Sequence, residues 1–278
     1  MKKLITLLAA GIFAFNANAQ ELPKPSPLST IDQKVGLTNV SVEYSRPSAK
    51  GRTIFGGLVA YDKMWRLGAN MATKLTISTP ITVGGKEIAK GEYSMQAIPA
   101  ENGDWTIIIN SDAELQGTSG YKKENDIIRI NAKAMVNSYT ETFTMGFDKI
   151  TNTSAVISIQ WEKLRIDVPF TVNTDKIAKE NIEAAVKKGE ELDKVYSRAA
   201  SYYNDTKDYK TALMYVDKSL KVKKAHPAMF TKARILKAKG DKAGAIKAGK
   251  EALELATKAE SKGWANYIKG VVEKWEKE

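Results

Sequence analysis

Hydrophobic and polar residues alternate through the first two thirds of the chain. Val40, Val42 and Tyr44, for example, are separated by polar residues, and later stretches repeat this period of two. Such alternation is typical of strands with one buried face. Gly84 and Gly85 lie between two short apolar runs, which predicts a tight hairpin turn. The pattern therefore predicts eight or nine short strands in an antiparallel β-sandwich of jelly-roll type, with an open barrel as the alternative.

The same alternation predicts where the later strands begin and end. Glu162 and Lys163 are polar residues between two apolar runs, and we interpret them as a turn. The second half of the region is therefore expected to contain four separate strands, at residues 128–134, 143–147, 155–161 and 164–172.

From Thr174 onward the pattern becomes helical. Ala, Lys, Glu and Leu dominate, as in α-helices, and Thr174 or Asp175 is a suitable N-cap. The sequence thus predicts an α+β chain of several domains, with a β domain at 31–173 and a helical domain at 174–278.

The helical domain contains an internal repeat with an offset of 33 residues. Asp208 and its following helix match Asp241 and the helix after it, and Ala212 corresponds to Ala245. This pattern resembles a pair of tetratricopeptide-type helical hairpins, whose usual period is about 34 residues. We expect further helices before and after them, at 177–188 and 264–275.

The first nineteen residues have the features of a secretory signal peptide. Lys2 and Lys3 precede an apolar run that ends at Phe15, and a small-residue cleavage motif ends at Ala19. An uncleaved anchor is the alternative. We expect cleavage after Ala19, a periplasmic or secreted protein, a proline-rich extended leader at 20–30 and no transmembrane segment. The chain has no cysteine, so disulfides cannot stabilise it.

The positive charge lies mainly in the helical domain. The net charge is +11, and from residue 174 onward 24 Lys and Arg face 16 Asp and Glu. Nucleic acid is a poor explanation in an exported protein. Solvated lysine-rich helix faces explain the charge, and an acidic partner is the alternative.

Residues 46–70, called here the arginine segment, form the longest stretch without a helical or strand period. Irregular backbone that retains arginines and aromatic residues is typical of a binding surface or a structural clamp. As a site it would suit an acidic sugar or another carboxylate, because guanidinium groups bind carboxylates through paired hydrogen bonds. The candidate ligand-binding residues are Arg46, Arg52, Phe55, Trp65, Arg66 and Asn70.

Three motifs in the arginine segment, at 50–52, 54–59 and 65–70, resemble the family catalogued as domain of unknown function 2911. The resemblance extends from about residue 23 to 172. It implies an exported β-rich domain, often followed by helical repeats, and no assigned activity. The family commonly has a Trp-Gly pair where this chain has Gln116 and Gly117. If that tryptophan serves a site in relatives, the site is altered here.

Little in the sequence supports catalysis. His226 is the sole histidine and there is no cysteine, which excludes multi-histidine and cysteine zinc sites, and no nucleophile elbow or phosphate loop is present. We therefore predict no catalytic residue, cofactor or metal, although calcium could bind turn carboxylates. The candidates for such turns are Asp62, Asp104, Asp112, Glu114, Asp126 and Asp148.

Two hypotheses remain. The first is a non-catalytic binding or interaction module, with the arginine segment as the ligand surface and the helical tail as the surface for a protein or peptide partner. The second is an envelope hydrolase that acts on carbohydrate through a pair of the turn carboxylates.

Overall fold

The computed structural model describes residues 22–278, so the predicted signal peptide lies outside the described residues. The predicted α+β class is confirmed, because an antiparallel β region is followed by six helices. The chain divides into two compact units, which meet in sequence at Val172 and Asn173. We call them the β unit and the helical unit.

The β unit contains one nine-stranded sheet within the described residues. The strands are β1 Leu28–Val35, β2 Thr38–Ser45, β3 Ala69–Ile77, β4 Ile81–Val83, β5 Lys86–Ile88, β6 Gly91–Ile98, β7 Asp104–Asn110, β8 Asp126–Asp148 and β9 Ser154–Val172. Their order in the sheet is β1-β2-β3-β6-β7-β8-β9-β4-β5, and all neighbouring pairs are antiparallel. The predicted two-sheet jelly-roll sandwich is not confirmed.

The two longest strands correct the predicted breaks. Glu162 does not begin a turn but pairs with Thr140 inside the β8–β9 ladder. The ladder register shifts on both sides of Thr140, and Glu162 adopts a left-handed φ of 53°. The interruption of the hydrophobic pattern therefore marks a bulge, which bends a strand without ending it. A strand also begins at Leu28, within the segment expected to be a leader.

One hydrophobic core joins the two parts of the sheet. The first part of β8 pairs with β7, and the part from Ala134 onward pairs with β9. Buried Trp105 on β7 and buried Trp161 on β9 nevertheless belong to the same cluster. The long strand β8 thus connects the part of the sheet that contains β7 to the part that contains β9.

The helical unit begins where Asn173, and not the predicted Thr174 or Asp175, caps the first helix through its side chain. Asp208 and Asp241, the two matching residues of the repeat, cap α3 and α5 in the same way. Among the helices that the structure describes, none combines the length and the apolar character needed to span a membrane. The helices are α1 Thr174–Lys188, α2 Leu192–Asp205, α3 Tyr209–Val222, α4 His226–Lys239, α5 Lys242–Lys258 and α6 Lys262–Lys277.

Candidate functional site

The arginine segment is held to the sheet at several points by backbone hydrogen bonds. Trp65 exchanges two with Ala97 on β6, of 2.7 and 2.8 Å. Near its start, the Ala49 N–H donates to the Glu141 carbonyl, and the Phe143 N–H donates to the Pro47 carbonyl, both at 2.8 Å. The segment is therefore a fixed part of the β unit, although it has no regular secondary structure.

Four non-glycine residues of this segment have a left-handed backbone. Lys50, Asp62, Leu67 and Asn70 have φ values of 50°, 57°, 52° and 60°. Asparagine tolerates this conformation well, but leucine and lysine adopt it rarely. Gly68 approaches the sheet so closely that a Cβ would lie 2.6 Å from the Ser45 carbonyl oxygen. Such strain persists only where the surroundings determine it, and it often occurs at ligand sites.

Aromatic side chains of the arginine segment pack against aromatic side chains of the sheet. The Trp65 ring stacks on Trp161 at a centroid distance of 5.9 Å and meets the Phe143 ring edge-on at 5.3 Å. Phe55 is buried and contacts the rings of Trp65 and Trp105. The structure therefore places Phe55, a predicted ligand residue, in the core, and aromatic contacts of this kind contribute stability beyond burial.

Above these aromatic side chains the segment forms a cleft of about 420 Å³. Its lining carries three cationic side chains, and the described residues that line it include no Asp or Glu. Of the six predicted ligand residues, four line the cleft and two, Arg46 and Phe55, do not. The residues that matter for its chemistry are Lys50, Arg52, Trp65, Arg66, Asn70 and Trp161.

Arg46 acts as a structural clamp. Its half-buried side chain donates from Nε to the Phe143 carbonyl at 3.1 Å and from Nη2 to Thr144 Oγ1 at 2.9 Å. Both acceptors lie on β8, whereas Arg46 follows β2. The structure thus assigns Arg46 to the clamp that was the alternative interpretation of the segment.

Arg52 lies on the rim of the cleft. Nε donates to the Ala49 carbonyl at 2.9 Å and Nη2 donates to the Ser48 carbonyl at 2.7 Å. Nearby, the Lys50 N–H and the Tyr139 hydroxyl donate to Glu141 and lower the pKa of its carboxyl, with a further contribution from the charge of Arg52. Glu141 does not line the cleft, but its carboxylate interacts with the charges of Arg52 and Lys50 on the rim.

Arg66 and Asn70 lie together on one wall. Arg66 Nη1 donates to the Asn70 carbonyl at 2.9 Å. The Asn70 amide donates to the Ser26 carbonyl and to Ser45 Oγ. Within the described part of the chain, neither Arg52 nor Arg66 has a carboxylate within 4.0 Å. The cleft therefore presents two guanidinium groups without a direct ion-pair partner, and the Glu141 carboxylate interacts with the charge of Arg52 from outside the lining.

Two of the six candidate turn carboxylates, Asp126 and Asp148, have structural partners instead. Asp126 accepts from Tyr121, Arg129 and Asn110. The nearby Ser158 hydroxyl and a hydrogen bond from Arg165 Nη2 at 2.7 Å lower the pKa of Asp148. Among the residues that the structure describes, no group of three or more His, Asp or Glu side chains could hold a metal ion.

His226 lies in the helical unit, where it is the first residue of α4. Its ring contacts Trp264 at 5.6 Å, and burial lowers its pKa, so it is neutral near pH 7.

Two of the six residues that matter for the chemistry of the cleft, Lys50 and Trp161, were not among the predicted ligand residues. Lys50 belongs to a motif of the arginine segment, so its charge was available as a signal. Trp161 lies on β9, far from the segment in sequence, and no local pattern connects the two. Only the fold brings Trp161 beneath Trp65.

Comparisons with known proteins add a family. A model of the family described as "Protein of unknown function (DUF2911)" matches residues 26–170. No curated protein matches the chain. A solution structure of protein BPP2914 from Bordetella parapertussis is 18% identical, with 35% of this chain and 86% of that chain covered. Its TM-score of 0.33 is too low to support an argument about fold or function.

Proposed function

The chain belongs to the DUF2911 family of proteins of unknown function, and because that description names no activity, we propose a function from the cleft. The β unit is a non-catalytic binding module for a small anionic ligand, such as an acidic sugar or another carboxylate. One observation carries this proposal: Lys50, Arg52 and Arg66 line a cleft whose described lining has no carboxylate.

The chemistry of the wall suits a carboxylate. A guanidinium group binds a carboxylate through two parallel N–H···O bonds, which are stronger than neutral hydrogen bonds. Trp65 and Trp161 are mostly buried and add apolar edges at the base. A cleft of about 420 Å³ lies within the usual range of roughly 300–1,000 Å³ for small-molecule sites.

The same lining argues against the hydrolase alternative. Glycoside hydrolysis usually requires two carboxyl groups about 5–10 Å apart that flank the reacting bond. The turn carboxylates Asp126 and Asp148 are instead engaged with arginines on the sheet. A cationic cleft would bind an acid but could not supply the general acid and base.

We further propose that the chain is exported and that the helical unit is tetratricopeptide-like and binds a protein or peptide. The repeated caps Asp208 and Asp241 support the repeat. For the β unit we propose a sheet that closes into a sandwich, and the single core shared by β7 and β9 supports this.

A thermal-shift experiment tests the anion site. D-Galacturonate, D-glucuronate and neutral D-galactose would be added to the mature chain, defined here as residues 20–278. A ligand at one hundred times its Kd stabilises the folded state by about 2.7 kcal/mol, which raises the Tm of a unit of this size by several degrees. We expect the acids, but not galactose, to raise the Tm of the β unit.

Two variants locate the binding. Arg66→Ala removes a cleft guanidinium and should abolish the shift. Lys133→Ala removes an exposed positive charge on β8 that does not line the cleft, and it should preserve the shift. Equal shifts with all three sugars, or a shift that survives Arg66→Ala, would contradict the proposal.

A further inference from the structure

Arg66 lies flat on the backbone of Gly117. A Cβ built on Gly117 would lie 2.6 Å from Arg66 Nη1, 2.7 Å from Cζ and 3.1 Å from Nε. Three guanidinium atoms therefore occupy the space that any other side chain would need. Gly117 also has a left-handed φ of 72°. The guanidinium can occupy this position only because residue 117 is a glycine.

The loop that carries Gly117 is anchored. Leu115 is 4% exposed, and its carbonyl accepts hydrogen bonds from the Ala72 N–H at 3.1 Å and from the Gly117 N–H at 3.0 Å. Since Ala72 lies on β3, the loop is tied to the sheet beside the cleft. Gly117 therefore offers Arg66 a fixed surface.

The hydrogen bond that the Arg66 guanidinium donates leaves one edge of the group free. Nη1 donates to the Asn70 carbonyl, while Nε and Nη2 have no hydrogen-bond partner among the described residues. The side chain lines the cleft. Nε and Nη2 together form one edge of the guanidinium, and such an edge pairs with the two oxygens of a carboxylate.

We propose that Gly117 is a positioning residue that makes Arg66 a side-on carboxylate receptor. Its bare backbone and the Asn70 carbonyl fix the guanidinium, so that the Nε–Nη2 edge is presented to the ligand. This inference rests on the proposed anion-binding function and specifies the group that is recognised. The proposal concerns the geometry of the donors as well as their charge, because a lysine at position 66 would keep the positive charge but lack the paired N–H donors.

Gly120 provides a matched control for Gly117. It lies three residues further along the same loop and has a φ of 76°, close to the 72° of Gly117. A Cβ on Gly120 would meet nothing within 4 Å. Gly117→Ala and Gly120→Ala therefore introduce the same backbone strain, but only Gly117→Ala displaces the Arg66 guanidinium.

The test measures the Kd for D-galacturonate by titration calorimetry in the full mature chain. We expect Gly120→Ala to bind as the unaltered protein does. Gly117→Ala and Arg66→Lys should each weaken binding by about tenfold or more, the effect of losing a charge-assisted hydrogen bond. Arg66→Lys also serves if Gly117→Ala does not fold, and unchanged affinity in that variant would overturn the inference.

A second readout needs no ligand and separates the two proposals. The NMR signal of the Arg66 Nε–H should shift in Gly117→Ala and stay in place in Gly120→Ala. If the unaltered protein does not bind galacturonate, the proposed function fails for this probe, while the NMR signal still tests the positioning. If it binds and Arg66→Ala abolishes binding, but the two glycine variants behave alike, only the role of Gly117 is refuted.

Discussion

Arg46 and Arg66 lie in one irregular segment but make different contacts. Arg46 donates two hydrogen bonds to β8 and lies outside the cleft lining, whereas Arg66 donates one to a neighbouring carbonyl and lines the cleft. Residue type alone does not distinguish these environments. Arg46 directly follows β2 and reaches β8, whereas Arg66 precedes Leu67 and Gly68, whose φ values of 52° and 137° are positive.

This difference predicts opposite results for two substitutions. Arg46→Ala removes two charge-assisted hydrogen bonds and should destabilise the β unit by about 2–4 kcal/mol, which lowers its Tm by several degrees. Arg66→Ala should change the Tm little. Thermal denaturation without ligand measures both effects, and equal losses would contradict the assignment of clamp and site.

For single residues, the sequence predicts which residue types line the cleft better than it predicts which individual side chains reach it. It identified four residues that line the cleft, because arginines and aromatic residues in irregular backbone are typical of a binding surface or a clamp. It could not separate Phe55, which the fold turns into the core, or add Trp161, which reaches the cleft from a distant strand. The space that Gly117 leaves for Arg66 likewise depends on contacts between separate segments.

At the scale of elements, the starts of two helices depend on local interactions. Asp208 accepts a hydrogen bond from the Thr211 N–H at 3.1 Å, and Asp241 accepts one from Gly244 at 2.8 Å. Capping depends on residues three positions apart, so the sequence contains the whole interaction. The β8–β9 pair failed as a prediction because its bulges depend on the partner strand.

The cap at Asp208 predicts a pH effect on the helical unit. Hydrogen bonds from the Thr211 hydroxyl and N–H lower the pKa of this carboxyl. A carboxyl whose folded pKa is below its unfolded pKa stabilises the fold above the unfolded value of about 4. That contribution is lost as the pH falls through the folded pKa, so part of the helical stability should disappear between about pH 5 and 2.

Asp208→Asn isolates this contribution, since the amide retains an acceptor but has no charge to lose. Circular dichroism melts at stepped pH should show a smaller acid loss in Asp208→Asn than in the unaltered chain. Asp205→Asn, an exposed residue at the end of α2 that caps no helix start, is the control. Identical pH profiles for Asp208→Asn and the unaltered chain would refute the role of the charge.

At the scale of the whole molecule, each unit has its own core. Phe55, Trp65 and Trp161 belong to the core of the β unit. Ile235 belongs to one of two clusters in the helical unit. The change of sequence period at residue 174 therefore coincides with a change from one core to another.

Core substitutions should act on one unit at a time. Phe55→Ala removes a ring that contacts three tryptophans and should cost the β unit about 3–5 kcal/mol. Ile235→Ala should cost the helical unit about 2–5 kcal/mol. Calorimetry of the full chain would detect a lowered β-unit transition in the first variant and a lowered helical transition in the second. Loss of both transitions in either variant would contradict separate cores.

The most direct test of the anion site is a ¹H–¹⁵N NMR titration of the labelled mature chain with D-galacturonate. The five tryptophans give indole N–H signals in both units. Trp65 and Trp161 line the cleft, while Trp264 and Trp275 lie in α6. We predict that the signals of Trp65 and Trp161 shift with saturation while those of Trp264 and Trp275 do not. If no indole signal moves, or only those of α6, the cleft is not the binding site for this acid.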